Sequence, residues 1–390
     1  MDSQSVEFET ILLNEPQESG TVQKFTLNEH GDRIFVTTSL YPRFHYAQNI
    51  HIFGTLKKKV INNEKIILTM YFPKIEAEEH EGNIVLALTS FVRQNIISFF
   101  QKNLPPLHSS LLLGIVFGIQ GDLSKSFGDD LRNTGVFHVV AASGMNVTLL
   151  AGFLSSLMSL LFRRQVAIAI AILAICFYAL LSGLSPSIER AAIMGSVVFI
   201  AQIFGRQTIA LFGLFLAGYG MLAWSPNLLF DIGFQLSFAS TLGLLYIRPV
   251  LGRLGIVGRL GVLEEDVATT LSAQLATMPI MLSNFGTFSL WSVLVNVLVL
   301  WTVPILMITG FLASIGLIIA PVGKLFLYLS LPLLIYFEYV VTTFSHVFGS
   351  VKIESFSMVF AIGYYCILIA VIMFLYKRTK LDEFAKDSSY

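Results

Sequence analysis

The chain has 390 residues, of which 55% are hydrophobic and only 13% charged, and its mean hydropathy is +0.73. Soluble domains carry about 25% charged residues, so this composition excludes an ordinary soluble enzyme and a disordered chain alike. Lys and Arg balance Asp and Glu at 25 each, and that zero net charge gives no bulk basicity to advertise nucleic acid. The charges are unevenly placed: residues 1–136 hold 12 basic and 15 acidic side chains, whereas 137–376 hold 9 and 7. A water-soluble N-terminal region, a membrane region and a short charged tail are expected.

The first stretch reads as short strands. VEFETILL (6–13), TVQKFTL (21–27), RIFVTTSL (33–40), NIHIFGTL (49–56) and KIILTMYF (65–72) are rich in β-branched and aromatic residues and are separated by Asn, Pro, Asp and Gly turns. Five such strands suggest a small all-β domain over 1–83, with an OB-like barrel the natural form. The first residues of the chain are acidic and alternating, unlike a cleavable signal peptide.

Residues 84–136 are expected to form interfacial helices and a linker. IVLALTSFVRQNIISFFQKN (84–103) has helical apolar spacing with Arg93 and Gln94 between, the pattern of a helix lying on a membrane surface. LLLGIVFGI (111–119) is too short to cross.

Nine spanning segments follow within 137–376: 137–162, 166–182, 187–204, 208–224, 228–247, 267–285, 290–319, 325–348 and 357–376. Each is near the roughly 20 residues that a bilayer requires. The 290–319 run contains Pro304 and reads as one kinked helix or two half-helices. Ten basic residues in one set of loops and the tail, against Arg190 and Lys352 in the other, place the tail (377–390) in the cytoplasm and the β domain outside. The fold class is therefore a polytopic α-helical membrane protein, of about nine spans, with a small N-terminal all-β domain.

Polar groups inside such spans face a partner, a cavity or a pathway. FHVVAASGMNVT (137–148) supplies His138, Ser143 and Asn146, and LSPSIER (184–190) supplies Glu189 and Arg190. FDIGFQLSF (230–238) puts Asp231 and Gln235 on one helix face, where Asp231 also suits a helix cap. The run 273–304 adds Gln274 and Asn296 beside Pro279 and Pro304. Hydrogen bonding between helices accounts for such residues as readily as a pathway does. Glu338 is a lone carboxylate with no assigned role.

The catalytic motifs are missing. The sequence contains no GxxxxGK[ST], HxH or HExxH, and Cys176 and Cys366 stand alone in apolar runs, so neither a cofactor nor a metal is expected. Ser143 and His346 bear a slight likeness to an intramembrane serine protease of the rhomboid type, a minor alternative.

The stretches TGVFHVVAASGMNVTLLAG (134–152), LSGLSPSIERAAIMG (181–195), DIGFQLSFASTLGLL (231–245) and the 273–304 run resemble, in order and spacing, the ComEC/Rec2 competence family. That resemblance implies an inner-membrane channel of a bacterium that passes single-stranded DNA into the cytoplasm during natural transformation. It implies partners as well: DNA-delivery proteins, a cytoplasmic translocation motor and a separate nuclease, since the family's metallo-β-lactamase-like domain and its HxHxDH motif do not follow here. Family members also usually begin with helices ahead of the β domain, so the resemblance is to a shortened member or to part of one. On this reading His138, Ser143, Asn146, Glu189, Arg190, Asp231, Gln235, Gln274 and Asn296 line the path. In the β domain Arg43, Phe44, Tyr46, Lys57, Lys58 and Lys59, with Tyr41, Phe53, Tyr71 and Phe72 nearby, would hold the strand by stacking and charge. The alternative from a different class is a permease for a small or lipid-linked solute.

Overall fold

The structure is a computed structural model that describes residues 3–12, 16–19, 21–29, 32–44, 48–61, 65–77, 84–119, 123–140, 143–205, 209–253, 264–289, 291–348, 351–352 and 358–387. The β-rich start forms seven strands: β1 (Ser3–Ile11), β2 (Gln17–Ser19), β3 (Val22–Glu29), β4 (Asp32–Ser39), β5 (Asn49–Ile61), β6 (Lys65–Tyr71) and β7 (Lys74–Ala77). They pair in the order β1-β5-β6-β4-β3-β2, with β7 beside β5, and only β4–β6 is parallel. The result is a half-barrel.

Strand alternation explains its core. Phe25 and Leu27 on β3, Ile34 and Val36 on β4, Ile50 and Ile52 on β5 and Met70 on β6 all turn inward, as a period of two requires. Gly54 belongs to the same inward row, and a Cβ there would lie 2.7 Å from Met70 Sδ. Buried Gln23 ties down the segment after β4: its Nε2 donates to the carbonyls of Ser39 (2.8 Å) and Pro42 (2.6 Å), and its Oε1 accepts from Phe44 N. Phe44, expected to stack on a ligand, is instead core. It is only 4% exposed and packs edge-on against Phe25 at 6.1 Å, because the Gln23 staple turns it under the sheet.

The remainder is helical: α1 (Ile84–Asn103), α2 (Pro106–Phe117), α3 (Lys125–Thr134), α4 (Phe137–Val140), α5 (Gly144–Ser159), α6 (Arg164–Leu181), α7 (Pro186–Ile203), α8 (Ala210–Trp224), α9 (Ile232–Arg253), α10 (Glu264–Phe285), α11 (Ser292–Leu300), α12 (Thr302–Ile315), α13 (Ala320–Phe348) and α14 (Met358–Asp387). A two-stranded ribbon, β8 (Thr287–Phe288) with β9 (Val351–Lys352), joins the loops before α11 and after α13. Every apolar segment read as a span contains helix. Among the described residues, α1, α6 and α13 are each long and apolar enough to cross a membrane, and the bent α11–α12 pair makes a fourth.

Two segments depart from the expected form, and a third takes one of the two forms expected. On α1 the polar residues Gln94, Ser98, Gln101 and Lys102 are exposed, but Arg93, read as one of that polar set, is not. Arg93 is 4% exposed and shares a buried face with Thr89, Ile96 and Phe100. The segment 137–162 is broken, with α4 and α5 on either side of residues 141–143. The 290–319 run is two helices meeting at 44° at Trp301.

The helical core centres on α2. Nine consecutive residues, Ser109–Phe117, are buried, as expected of a short helix that is apolar all round. Small residues let its neighbours approach: a Cβ on Gly310 of α12 would lie 2.5 Å from Val116 Cγ2, and one on Gly114 the same distance from Val140 Cγ1.

The two aromatic side chains flanking Pro42 and Arg43 should behave oppositely. Phe44→Ala empties a core position and is expected to cost about 3–5 kcal/mol, whereas Tyr41→Ala on the exposed loop changes stability by at most about 0.5 kcal/mol. Denaturant unfolding of the full chain, followed by a probe in the β region, measures both.

Candidate functional site

The polar residues of the helical region gather into nodes. The first lies at the buried C-terminus of α2. A helix end leaves carbonyls without partners, and α2 stops in the apolar interior. Gly118, at φ +67°, turns the chain, and its N–H bonds to Gly114 O. Asn146 Nδ2 then donates to Ile115 O (2.8 Å), and Tyr178 Oη donates to Val116 O (2.8 Å). Ser143 Oγ donates to Asn146 Oδ1 (3.1 Å), fixing the amide's orientation. The Ser143 hydroxyl is thus engaged by Asn146, not by His346. Arg93 does the same service for α6, donating from Nη1 to Leu181 O at 2.6 Å.

The second node joins three of the four sequence motifs. Arg190 on α7 donates from Nη1 to Ser237 O and Thr241 Oγ1 on α9, and its Nη2 faces Gly144 at the start of α5. Glu189 beside it is half-buried. At the head of α9, Asp231 Oδ1 accepts from Phe234 N (2.8 Å), so Asp231 is the cap that its position suggested. Gln235 is half-buried and donates back to Leu229 O (2.9 Å).

A third node links α10 to α11. Gln274 Nε2 donates to Ser292 Oγ, which donates to Ser289 O (2.8 Å). One turn further, Asn296 is 1% exposed, and its Oδ1 is buried without a partner among the described residues. Gly135 seats against this pair of serines. His138 is exposed and donates from Nδ1 to Gly135 O at 3.1 Å.

Pro279 shows where freed backbone groups go. Proline leaves the carbonyl four residues earlier without its helical donor. Tyr364 Oη on α14 donates to Leu275 O, and Tyr365 Oη to Ala276 O, both at 2.9 Å. Hydroxyls of a neighbouring helix answer this break.

Several contacts carry no motif. His108 Nε2 lies 3.0 Å from Glu338 Oε2, tying α2 to α13, and Ser345 donates to Asp130 Oδ1 at 2.6 Å, tying α13 to α3. A lone Glu338 and a mid-apolar Arg93 were the sequence signals available. Nothing in the local sequence marks Tyr178 or Tyr364 as caps.

On the half-barrel, Arg43 stacks over the exposed Tyr41 ring (5.5 Å), and Lys57 and Lys58 are exposed. Lys59 continues β5 opposite Ile67, and Tyr46 lies outside the described residues. Phe53 is half-buried against His51. Tyr71 is exposed, and so is Phe35, which sequence reading overlooked. The registers Phe35↔Thr69, Thr37↔Tyr71 and Lys57↔Thr69 put Phe35, Tyr71 and Lys57 on one outer face. Nearby, the Lys74 ammonium 2.7 Å from Glu76 holds that carboxyl below its ordinary range, by its hydrogen bond first and its charge second. Among the described residues no three His, Cys, Asp or Glu side chains form a metal-holding group.

Apolar helices with outward-facing Leu, Ile, Phe and Trp, enclosing buried amide, hydroxyl and guanidinium groups, define a helical membrane protein with a polar interior. More narrowly, the chain belongs to the Competence protein family, whose profile matches residues 115–378. It is similar to ComE operon protein 3 of Bacillus subtilis (strain 168), with 29% identity over 245 residues, which are 60% of this chain and 30% of that protein. The chain therefore spans under a third of the length of that curated relative. No solved structure matches. The matched range opens at Ile115, the carbonyl that Asn146 caps, and takes in the Asn146, Arg190 and Gln274 nodes, while Arg93 and His108 lie ahead of it.

Removing the two hydroxyls that answer Pro279 tests this geometry. Tyr364→Phe with Tyr365→Phe should lower stability by about 1–3 kcal/mol. In a Pro279→Ala background, where the backbone N–H returns, the same pair of changes should cost clearly less. A double-mutant cycle of thermal unfolding in detergent measures the difference.

Proposed function

We propose that this chain is the membrane region, with an attached OB-like domain, of a channel that carries single-stranded DNA into the cytoplasm during natural transformation. One observation supports it above the others: the family match covers the stretch in which polar nodes run through an otherwise apolar bundle. A polyanion needs hydrated, hydrogen-bonding surface through hydrocarbon, and His138, Ser143, Asn146, Glu189, Arg190, Asp231, Gln235, Gln274 and Asn296 are its candidate lining.

In this reading nine segments cross the cytoplasmic membrane, the β domain lies outside and the tail inside. The exposed Arg43–Tyr41 stack and the face bearing Phe35, Tyr71 and Lys57 give the strand a sequence-tolerant platform. The chain acts as a conduit rather than an enzyme. A nuclease, DNA-delivery proteins and a cytoplasmic motor act beside it.

The helices themselves suggest how a closed conduit is held. The Asn146, Arg190 and Gln274 side chains are all engaged by other helices or loops. Passage of a strand exchanges some of those bonds for bonds to the strand. Gln235, bonded only to the nearby Leu229 carbonyl among the described residues, is the cheapest to release.

Deleting the gene in its host should abolish transformants while leaving surface-bound DNA undiminished; unaffected transformation would contradict the reading. Gln235→Leu, expressed and inserted normally, should lower transformation frequency about tenfold or more, scored by colony counts against membrane protein level.

A further inference from the structure

We infer that Arg190 is a phosphodiester contact held closed by α9, a specific role that rests on the channel reading above. Its guanidinium is an unusual thing to bury. The residue is 9% exposed, and among the described residues it makes no ion pair. A buried cation normally takes a carboxylate, because its desolvation is otherwise uncompensated. Here a single nitrogen, Nη1, takes both acceptors, the Ser237 carbonyl and the Thr241 hydroxyl. Nε is buried without a partner.

The two nitrogens left over, Nε and Nη2, form one edge of the planar fork, the edge that takes two oxygens of a phosphate side by side. Nη2 looks across at Gly144, and a Cβ there would come within 2.9 Å of it. Glycine lets α5 lie close against that edge, so the edge is buried at rest with no side chain set across it. The acceptors on α9 are already shared: Ser237 O also receives the hydroxyls of Ser240 (3.0 Å) and Thr241 (2.9 Å). Arg190 therefore competes for its closed-state partners, and a diphosphate-free, singly charged phosphodiester supplies what they do not, a negative charge and two coplanar acceptors. The occupant is the backbone of a nucleic acid strand.

The test uses the full chain purified in an uncharged maltoside detergent, with a fluorescent short oligothymidylate as probe and its uncharged methylphosphonate counterpart as control. Arg190→Gln should weaken oligothymidylate binding about tenfold or more, reduce the slope of log affinity against log salt by about 0.7, and leave the methylphosphonate unchanged. Thr241→Val keeps Arg190 but removes one closed-state acceptor, so it should tighten oligothymidylate binding; a purely structural arginine predicts weakening or no change. This second variant also carries the test if Arg190→Gln fails to fold. Wild-type affinity and salt slope in Arg190→Gln, or no tightening in Thr241→Val, overturns the assignment while the channel reading stands. Sensitivity of Arg190→Gln to added phosphatidylglycerol alone gives the edge to lipid and overturns it too. Failure of the folded wild type to bind the oligothymidylate removes the channel reading itself.

Discussion

A backbone carbonyl at membrane depth has no water to bond, and this constraint organises the helical region. A continuous helix meets it internally, but this chain repeatedly breaks its helices. Several of these breaks are answered by a side chain from elsewhere. Asn146 and Tyr178 close the end of α2, Arg93 closes α6, and Tyr364 and Tyr365 take the carbonyls beside Pro279. Tyr336 donates in the same way to Leu298 O at the end of α11. These bonds run between helices, so satisfying the backbone also fixes how the helices pack.

The same constraint gives the polar residues two lives. At rest they are structural, holding carbonyls that would otherwise be orphaned. In the proposed channel these hydrogen bonds would form the seal, and opening would exchange them for others. The Arg190 node is the sharpest case, because a charge is spent on neutral acceptors while one edge of its fork faces glycine. Asn296, whose buried Oδ1 has no partner among the described residues, is a second place where a bond is left unmade.

Much of this was legible in the sequence because it depends on period and composition. Alternation placed the strands, except for the three-residue β2 and four-residue β7, too short to show a period. Apolar length placed the helical segments, and Pro304 anticipated the bend at Trp301. Asp231 was readable as a cap from its position alone. What was not legible depends on partners distant in the chain. Arg93 reads as interfacial until Leu181 stands opposite it, and Phe44 reads as a stacking ring until Gln23 fastens its backbone. Tyrosines at 178, 364 and 365 are unremarkable in apolar helices, since the carbonyls they serve lie 62 and 89 residues away. Local sequence shows where a helix will break, and the fold decides what mends it.

The most direct measurement is the thermal unfolding of Tyr178→Phe in detergent, which deletes one hydroxyl and nothing else. If side chains from other helices close the end of α2, the loss of that bond should lower stability by about 1–3 kcal/mol, and much more when Asn146→Leu is added. Unfolding of Tyr178→Phe indistinguishable from the parent, alone and in the Asn146→Leu background, would contradict the account.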